Sequence, residues 1–81
     1  SVGTPANLIM NKAIKNNSVN VVLAHNHPGG IPLPSTQDVS MTEAIAKALK
    51  IMNIKFVDHV IIADDAYISM AKSSKYSELF E

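Results

Sequence analysis

The sequence predicts a single small α/β domain, α+β in some classifications, with the element order α-β-loop-α-β-β. Stretches with apolar residues at helical spacing alternate with short runs rich in Val and Ile, and an irregular segment with three of the four prolines lies between them. The length of 81 residues allows one modest core and excludes a TIM barrel or a complete Rossmann domain. Residues 1–81 are therefore interpreted as one domain.

The first helix is predicted to start at Thr4-Pro5, where threonine caps the helix and proline takes its first position. It extends to about Asn17, and its apolar residues recur at helical spacing: Ala6, Ile9, Met10, Ala13 and Ile14. The nearly continuous apolar run from Val19 to Ala24 predicts a strand that is buried on both faces.

A stiff loop is predicted from His25 to Pro34, because this segment has no periodicity and is rich in proline and glycine. The second helix begins at Ser35 and ends at Asn53. A single apolar stripe predicts its buried face: Met41, Ala44, Ile45, Ala48, Leu49 and Met52. Met41 and Met52 are interpreted as core filler, and Glu43 is expected to point outward.

Two further strands are predicted, from Phe56 to Ala63 and from Ala66 to Ala71, and a turn at Asp64-Asp65 joins them into a hairpin. The tail from Lys72 to Glu81 is polar. Its last apolar residues are expected either to dock against the domain as a turn or to fray.

Charge and composition exclude several functions. Seven Lys balance seven Asp and Glu, there is no Arg, and there is no Cys. A neutral chain without Arg lacks the electrostatic character of a nucleic-acid binder, so no direct nucleic-acid binding is expected. The absence of Cys excludes disulfides and thiolate metal sites. No apolar run approaches 18 residues, so no membrane partner is expected.

The sequence predicts a metal site at the start of the loop, where His25 and His27 lie two residues apart. Side chains at this spacing on extended chain point to the same side, roughly 6.5–7 Å apart along the strand, and can converge on one ion. Asp38, on the first turn of the next helix, could supply a third ligand. Two His and one Asp leave the fourth position of a tetrahedral Zn²⁺ open, as in catalytic zinc sites.

A purely structural interpretation competes with this one. A His-x-His pair alone is a weak signal, because two histidines at a strand end are usually just polar residues entering a loop, and Ser35-x-x-Asp38 is by itself a variant of the capping box. Both interpretations can hold together, because one carboxylate oxygen could bind metal while the other accepts a backbone N–H. Amidohydrolase and cupin sites with the same His-x-His pattern need a large barrel or an all-β jelly roll.

These residues resemble a known family. His25-x-His27-Pro28, followed by Ser35 and Asp38, is similar to the JAMM signature of JAB/MPN-domain metalloproteases, and the later Asp58-His59-Val60-Ile61-Ile62 extends the likeness to the RadC family. The resemblance runs from Gly3 to about Met70. It implies a JAB/MPN-like (cytidine-deaminase-like) core whose N-terminal strands are missing here, so that the chain is expected to be the C-terminal portion of such a domain.

The resemblance also implies roles for individual residues. His25, His27 and Asp38 match the family's metal ligands, and Ser35 matches the serine that hydrogen-bonds near the catalytic water. The implied reaction is hydrolysis of an amide or isopeptide bond by metal-activated water, with no covalent enzyme intermediate. Ser35 is then a hydrogen-bond donor and not a nucleophile.

Two departures from the family pattern stand out. RadC-like sequences commonly have Ser and an acidic residue where this one has Gly29 and Ile31. The family's catalytic glutamate lies on a strand upstream of the first helix, and this sequence offers no replacement. Without that base, a rate factor of about 10²–10⁴ is expected to be missing.

The third histidine, His59, alternates with Val57 and Ile61 on one face of its strand, and Asp58 shares the other face with Phe56. The first interpretation of Asp58 and His59 is that they are hydrogen-bonded structural residues near the site. The alternative is that they steady a ligand imidazole from behind.

The leading functional hypothesis is a cytoplasmic RadC-like zinc hydrolase domain acting on a peptide or isopeptide substrate. Two alternatives remain open: a binding module associated with DNA repair, and a JAMM-fold scaffold that mediates protein contacts without turnover. A homodimer or missing upstream sequence is also expected, because absent strands would leave neighbouring edge strands unpaired.

Overall fold

The computed structural model describes residues 6–28 and 30–81, and its elements follow the predicted order. Helix α1 is followed by strand β1, helix α2, the β2–β3 hairpin and a short 3₁₀ helix, with these bounds: α1 Ala6–Lys15, β1 Asn20–Asn26, α2 Thr36–Ile51, β2 Lys55–Ala63, β3 Ala66–Ser69 and 3₁₀ Ser77–Phe80. The mixed α/β class is confirmed. The predicted Thr4-Pro5 helix start lies outside the described residues.

The three strands form one mixed sheet in the order β1-β2-β3. Strands β1 and β2 are parallel, and α2 makes the crossover between them, as parallel neighbours require. Strands β2 and β3 are antiparallel and joined by a tight turn, in which Asp64 takes a positive φ of 47°. Since β1 and β2 run in the same direction, the residues that follow them lie at one end of the sheet.

Both helices cover the same face of the sheet. The core is centred on Ile45, Leu49 and Phe56, and partly buried residues of α1 and β1 pack against it: Ala6, Ile9, Met10, Val21 and Leu23. The chain end also docks, because the Phe80 ring lies 4.6 Å from the Phe56 ring, centroid to centroid. Of the two outcomes expected for the tail, the docking turn is the one observed.

Strand β1 corrects the prediction of a strand buried on both faces. Its residues alternate between half-buried and exposed, and Val22 on the outer face is 57% exposed. Within the described residues both helices lie on the other face, so the apolar run reflects one covered face and one uncovered face. Strand β1 also extends through His25 to Asn26, two residues beyond its predicted end.

Strand β2 contains an irregularity that the sequence pattern did not predict. Val21 pairs with Phe56 but the next residue, Val22, pairs with Asp58, so Val57 is an extra residue in the ladder. This β-bulge places Phe56 on the same face as His59, and both are buried. The predicted grouping of His59 with Val57, and of Asp58 with Phe56, is therefore wrong.

The buried face of α2 is also rotated from the predicted stripe. Its buried residues are Asp38, Thr42, Ile45 and Leu49, whereas Ala44 and Met52 are exposed. Met41 does pack against the core, so the core-filler interpretation holds for Met41 and is wrong for Met52. Glu43 is exposed, as predicted.

The ends of both helices follow local chain chemistry. Asn17 and Asn53 have positive φ values of 52° and 58°, a conformation that asparagine tolerates better than most residues.

No helix in residues 6–28 and 30–81 is long and apolar enough to cross a membrane.

Candidate metal centre

Strand β1 delivers both site histidines to the end of the sheet where β1 and β2 terminate. His25 is paired with Ile61 in the parallel ladder. His27 lies just beyond the strand, but its main-chain N–H still donates to the carbonyl oxygen of Ile62 at 2.7 Å. Because successive side chains of an extended chain alternate, both imidazoles lie on the face that α2 covers.

Helix α2 delivers the carboxylate through its N-terminal cap. The Ser35 main-chain N–H donates to Asp38 Oδ2 at 2.8 Å, and the Asp38 main-chain N–H donates to Ser35 Oγ at 3.1 Å. These reciprocal bonds form a capping box with aspartate as its acidic member. They fix the Asp38 side chain against the first turn of the helix.

The two histidines and the aspartate converge on one point. His25 Nε2 lies 3.6 Å from Asp38 Oδ1, and His27 Nε2 lies 3.2 Å from Asp38 Oδ2. Each residue offers one ligand atom, and these atoms all lie within 4.8 Å of one another. Two donors at zinc–ligand distance from a tetrahedral ion are about 3.4 Å apart, so the observed separations suit a metal ion.

The orientation of the His27 ring also suits a metal ligand. Its Nδ1 lies 3.2 Å from the carbonyl oxygen of Ile31. A carbonyl only accepts hydrogen bonds, so Nδ1 is the donor to Ile31, and Nε2 is the ring nitrogen that faces Asp38 and could bind a metal ion. A backbone carbonyl behind a ligand imidazole is a common arrangement at metal sites.

The charge state of Asp38 is favourable for binding a cation. Burial alone raises its pKa, but the hydrogen bonds from Ser35 and the proximity of His25 and His27 together lower the pKa below its ordinary value. Asp38 is therefore ionised at neutral pH. The donor set is two imidazoles and one carboxylate, which could hold a metal ion.

Comparison with known proteins assigns the family. The sequence matches the protein family described as "RadC-like JAB domain" over residues 3–76. The chain belongs to this family. The predicted resemblance to RadC proteins is thereby confirmed, and the mixed α/β fold of this RadC-like chain is consistent with part of a JAB domain.

Proteins of several microorganisms are similar in sequence to most of this chain. A UPF0758 protein of Alkaliphilus oremlandii is 45% identical over 62 residues, which are 76% of this chain and 27% of that protein. A UPF0758 protein of Methanococcoides burtonii is 39% identical over 69 residues, which are 85% of this chain and 30% of that protein. The RadC-like chain thus spans less than a third of the length of these relatives. No solved structure matches it significantly.

Asp58 belongs to a structural cluster at the far side of the hairpin. Its Oδ1 accepts from the main-chain N–H groups of His59 at 2.7 Å and Ala71 at 2.9 Å, and its Oδ2 accepts from the Ser69 hydroxyl. These partners lie on β2, β3 and the turn that follows. The structure therefore joins Asp58 to the hairpin and not to the two site histidines.

His59 lies close behind the centre. Its ring packs edge-on against the His25 ring, with centroids 6.4 Å apart, and its Nδ1 lies 2.7 Å from the Thr42 hydroxyl oxygen. Thr42 was not among the residues that the sequence pattern singled out. The signal available was its position four residues after Asp38, which places both on one face of the helix.

Proposed function

We propose that this RadC-like chain is part of a zinc-dependent hydrolase that cleaves peptide or isopeptide bonds in the cytoplasm. The observation that supports it is the convergence of His25, His27 and Asp38, with ligand atoms within 4.8 Å of one another. When bound, zinc supplies a Lewis acid that polarises a carbonyl group and activates water. Two imidazoles and one carboxylate from the protein leave room for the reacting groups.

Ser35 has a positioning task in this proposal. Its hydroxyl accepts from the Asp38 main-chain N–H, which holds this exposed side chain next to Asp38 at the start of α2. There the hydroxyl can donate a hydrogen bond to the oxygen on which negative charge develops as the amide carbonyl is attacked. Removing such a donor typically lowers kcat by about 10²–10³.

The general base is proposed to come from the longer protein. The three glutamates of this sequence are Glu43, Glu78 and Glu81, and all three line a cleft along the C-terminal half of α2. Asp38 lies on the first turn of that helix, at its other end. The family resemblance places the base on a strand before α1, so we propose that rapid turnover requires residues beyond these 81.

Metal analysis tests the proposed centre. Purified protein loaded with zinc and rinsed with a weak chelator is expected to retain one zinc per chain. His25→Ala and Asp38→Asn should lose it, because each removes one of only three protein ligands. Glu43→Gln is the matched control, since it removes an exposed carboxylate from the same helix. Wild-type protein without stoichiometric zinc would contradict the proposal.

A turnover assay tests the reaction itself. The longer protein, with its upstream strand, is expected to hydrolyse peptide or isopeptide substrates only when zinc is bound. Its Ser35→Ala variant should bind zinc and turn over slowly. Zinc binding without hydrolysis of either bond type would favour the scaffold alternative instead.

A further inference from the structure

Two polar side chains are buried in the core directly behind the candidate centre. Thr42 is 0% exposed and His59 is 1% exposed, among the most completely buried residues of the described chain. Burying a hydroxyl and an imidazole is costly unless they are hydrogen-bonded. They are bonded to each other, across 17 residues of sequence, by the 2.7 Å contact between Thr42 Oγ1 and His59 Nδ1.

The direction of this hydrogen bond follows from counting protons. Thr42 Oγ1 also lies 2.6 Å from the main-chain carbonyl oxygen of Asp38, which can only accept. The hydroxyl has one proton, so it donates to Asp38 and accepts from His59 Nδ1. A directed chain therefore runs from His59 through Thr42 to the backbone of Asp38.

Threonines inside helices often donate to the carbonyl four residues earlier, so the bond to Asp38 alone would not indicate a special role for Thr42. The bond to His59 gives it a second role, because it joins α2 to β2. Strand β2 is in turn paired with β1, where Leu23 opposes His59 and His25 opposes Ile61. The Thr42–His59 bond is thus one of the contacts that hold Asp38 of α2 at its distance from the histidines of β1.

The same histidine limits the motion of a ligand ring. The rings of His59 and His25 are nearly perpendicular, with an interplanar angle of 78°. His59 therefore lies directly beside the His25 imidazole and limits how far that ring can turn toward β2. Its own orientation is fixed by the hydrogen bond to Thr42.

We propose that Thr42 and His59 are positioning residues of the metal centre, and that their buried hydrogen bond sets the distance between Asp38 and the imidazoles of His25 and His27. This inference rests on the proposed zinc site. Outer partners that orient metal ligands typically contribute about 10–100-fold to metal affinity. We expect the Thr42–His59 link to contribute at the lower end of that range, because it acts on the backbone of one ligand and the packing of another.

Two substitutions at Thr42 separate the hydrogen bond from simple packing. Thr42→Val keeps the volume and loses the hydroxyl, whereas Thr42→Ser keeps the hydroxyl and loses a methyl group. The zinc Kd, measured by competition with a chromophoric chelator, is expected to rise about tenfold in Thr42→Val and to stay within about threefold of wild type in Thr42→Ser. A role in folding alone would reduce stability in both variants and leave both Kd values unchanged.

A second pair of variants and a spectroscopic measurement keep the test independent of folding yield. His59→Asn can still donate to Thr42 from its amide, and His59→Leu cannot. The cobalt-substituted protein reports ligand geometry directly, so His59→Leu and Thr42→Val should alter the visible absorption bands of Co²⁺, and His59→Asn and Thr42→Ser should preserve them.

These measurements distinguish the positioning role of Thr42 and His59 from the zinc site on which it rests. If wild-type protein binds zinc and Thr42→Val and His59→Leu bind it equally well with unchanged cobalt spectra, the positioning role is wrong and the metal centre stands. If wild-type protein does not bind zinc, both are overturned.

Discussion

Asp38 serves the helix and the candidate centre at the same time. Its Oδ2 accepts the Ser35 N–H of the cap and lies 3.2 Å from His27 Nε2, while its Oδ1 faces His25. The capping and ligand interpretations of the sequence competed for this residue. The geometry satisfies the cap and is compatible with a ligand, because a carboxylate has several lone pairs to share.

The buried imidazole of His59 predicts a pH dependence of stability. Burial lowers the pKa of His59 below its ordinary value of 6.5, and the nearby Asp38 and Asp58 carboxylates offset this only in part. The unfolded chain therefore takes up a proton at a higher pH than the folded chain. The contribution of His59 to the free energy of unfolding is therefore fully present above pH 6.5. It is lost as the pH decreases from 6.5 to the lower pKa of the folded state.

Urea unfolding between about pH 5 and 7.5 measures this effect, which has a limiting slope of about 1.4 kcal/mol per pH unit. His59→Asn is expected to be less dependent on pH in this range than wild type. The Asp38 contribution does not interfere, because its lowered pKa removes stability only as the pH falls below its ordinary value of 3.8. Equal slopes in the two proteins would contradict the assignment to His59.

Single residues were predictable where spacing carries meaning. The positions of His25, His27, Ser35 and Asp38 follow from motif spacing, and the structure brings these four residues together. Thr42 was missed because a stripe of apolar residues gives no weight to a hydroxyl in its centre. Its partner lies 17 residues away on another element, so only the fold reveals the pair.

At the scale of elements, the cap of α2 connects helix stability to the site. Substituting a capping serine by alanine typically costs about 1 kcal/mol. Ser35→Ala is therefore expected to lower the free energy of unfolding by about that amount, measured in urea without zinc. Ser35→Thr, which retains the acceptor oxygen, should remain close to wild type. Full stability in Ser35→Ala would show that the cap bonds contribute little.

Element order could be predicted from the sequence more fully than element faces. The 3.6-residue period predicts both helices, and the short apolar runs with the Asp64-Asp65 turn predict the three strands. The element ends agree with the structure to within one or two residues where the structure describes them. The predicted buried faces were wrong where tertiary contacts decide which side of a strand is covered. Within the described residues β1 is covered on one side only. The bulge at Val57 changes which residues of β2 point inward. An apolar run does not show how many faces are covered.

At the scale of the whole molecule, metal binding should appear as stability. A ligand that binds only the folded state adds about 2.7 kcal/mol when its free concentration is 100 times its Kd. The free energy of unfolding of wild-type protein, measured by heat or urea, is expected to increase by about this amount at that zinc concentration. Asp38→Asn should show a much smaller shift under identical conditions. Equal shifts in both would indicate zinc binding elsewhere.

The bulge in β2 also has a consequence for changes in chain length. Losing one residue from a strand usually reverses every side chain beyond it. Val57 is the exception, because it is the residue that the pairing with β1 skips. A chain lacking Val57 would have a regular ladder in which Phe56 and His59 still point inward. Deletion of one residue is therefore expected to disturb β2 less at Val57 than at the regularly paired positions beside it.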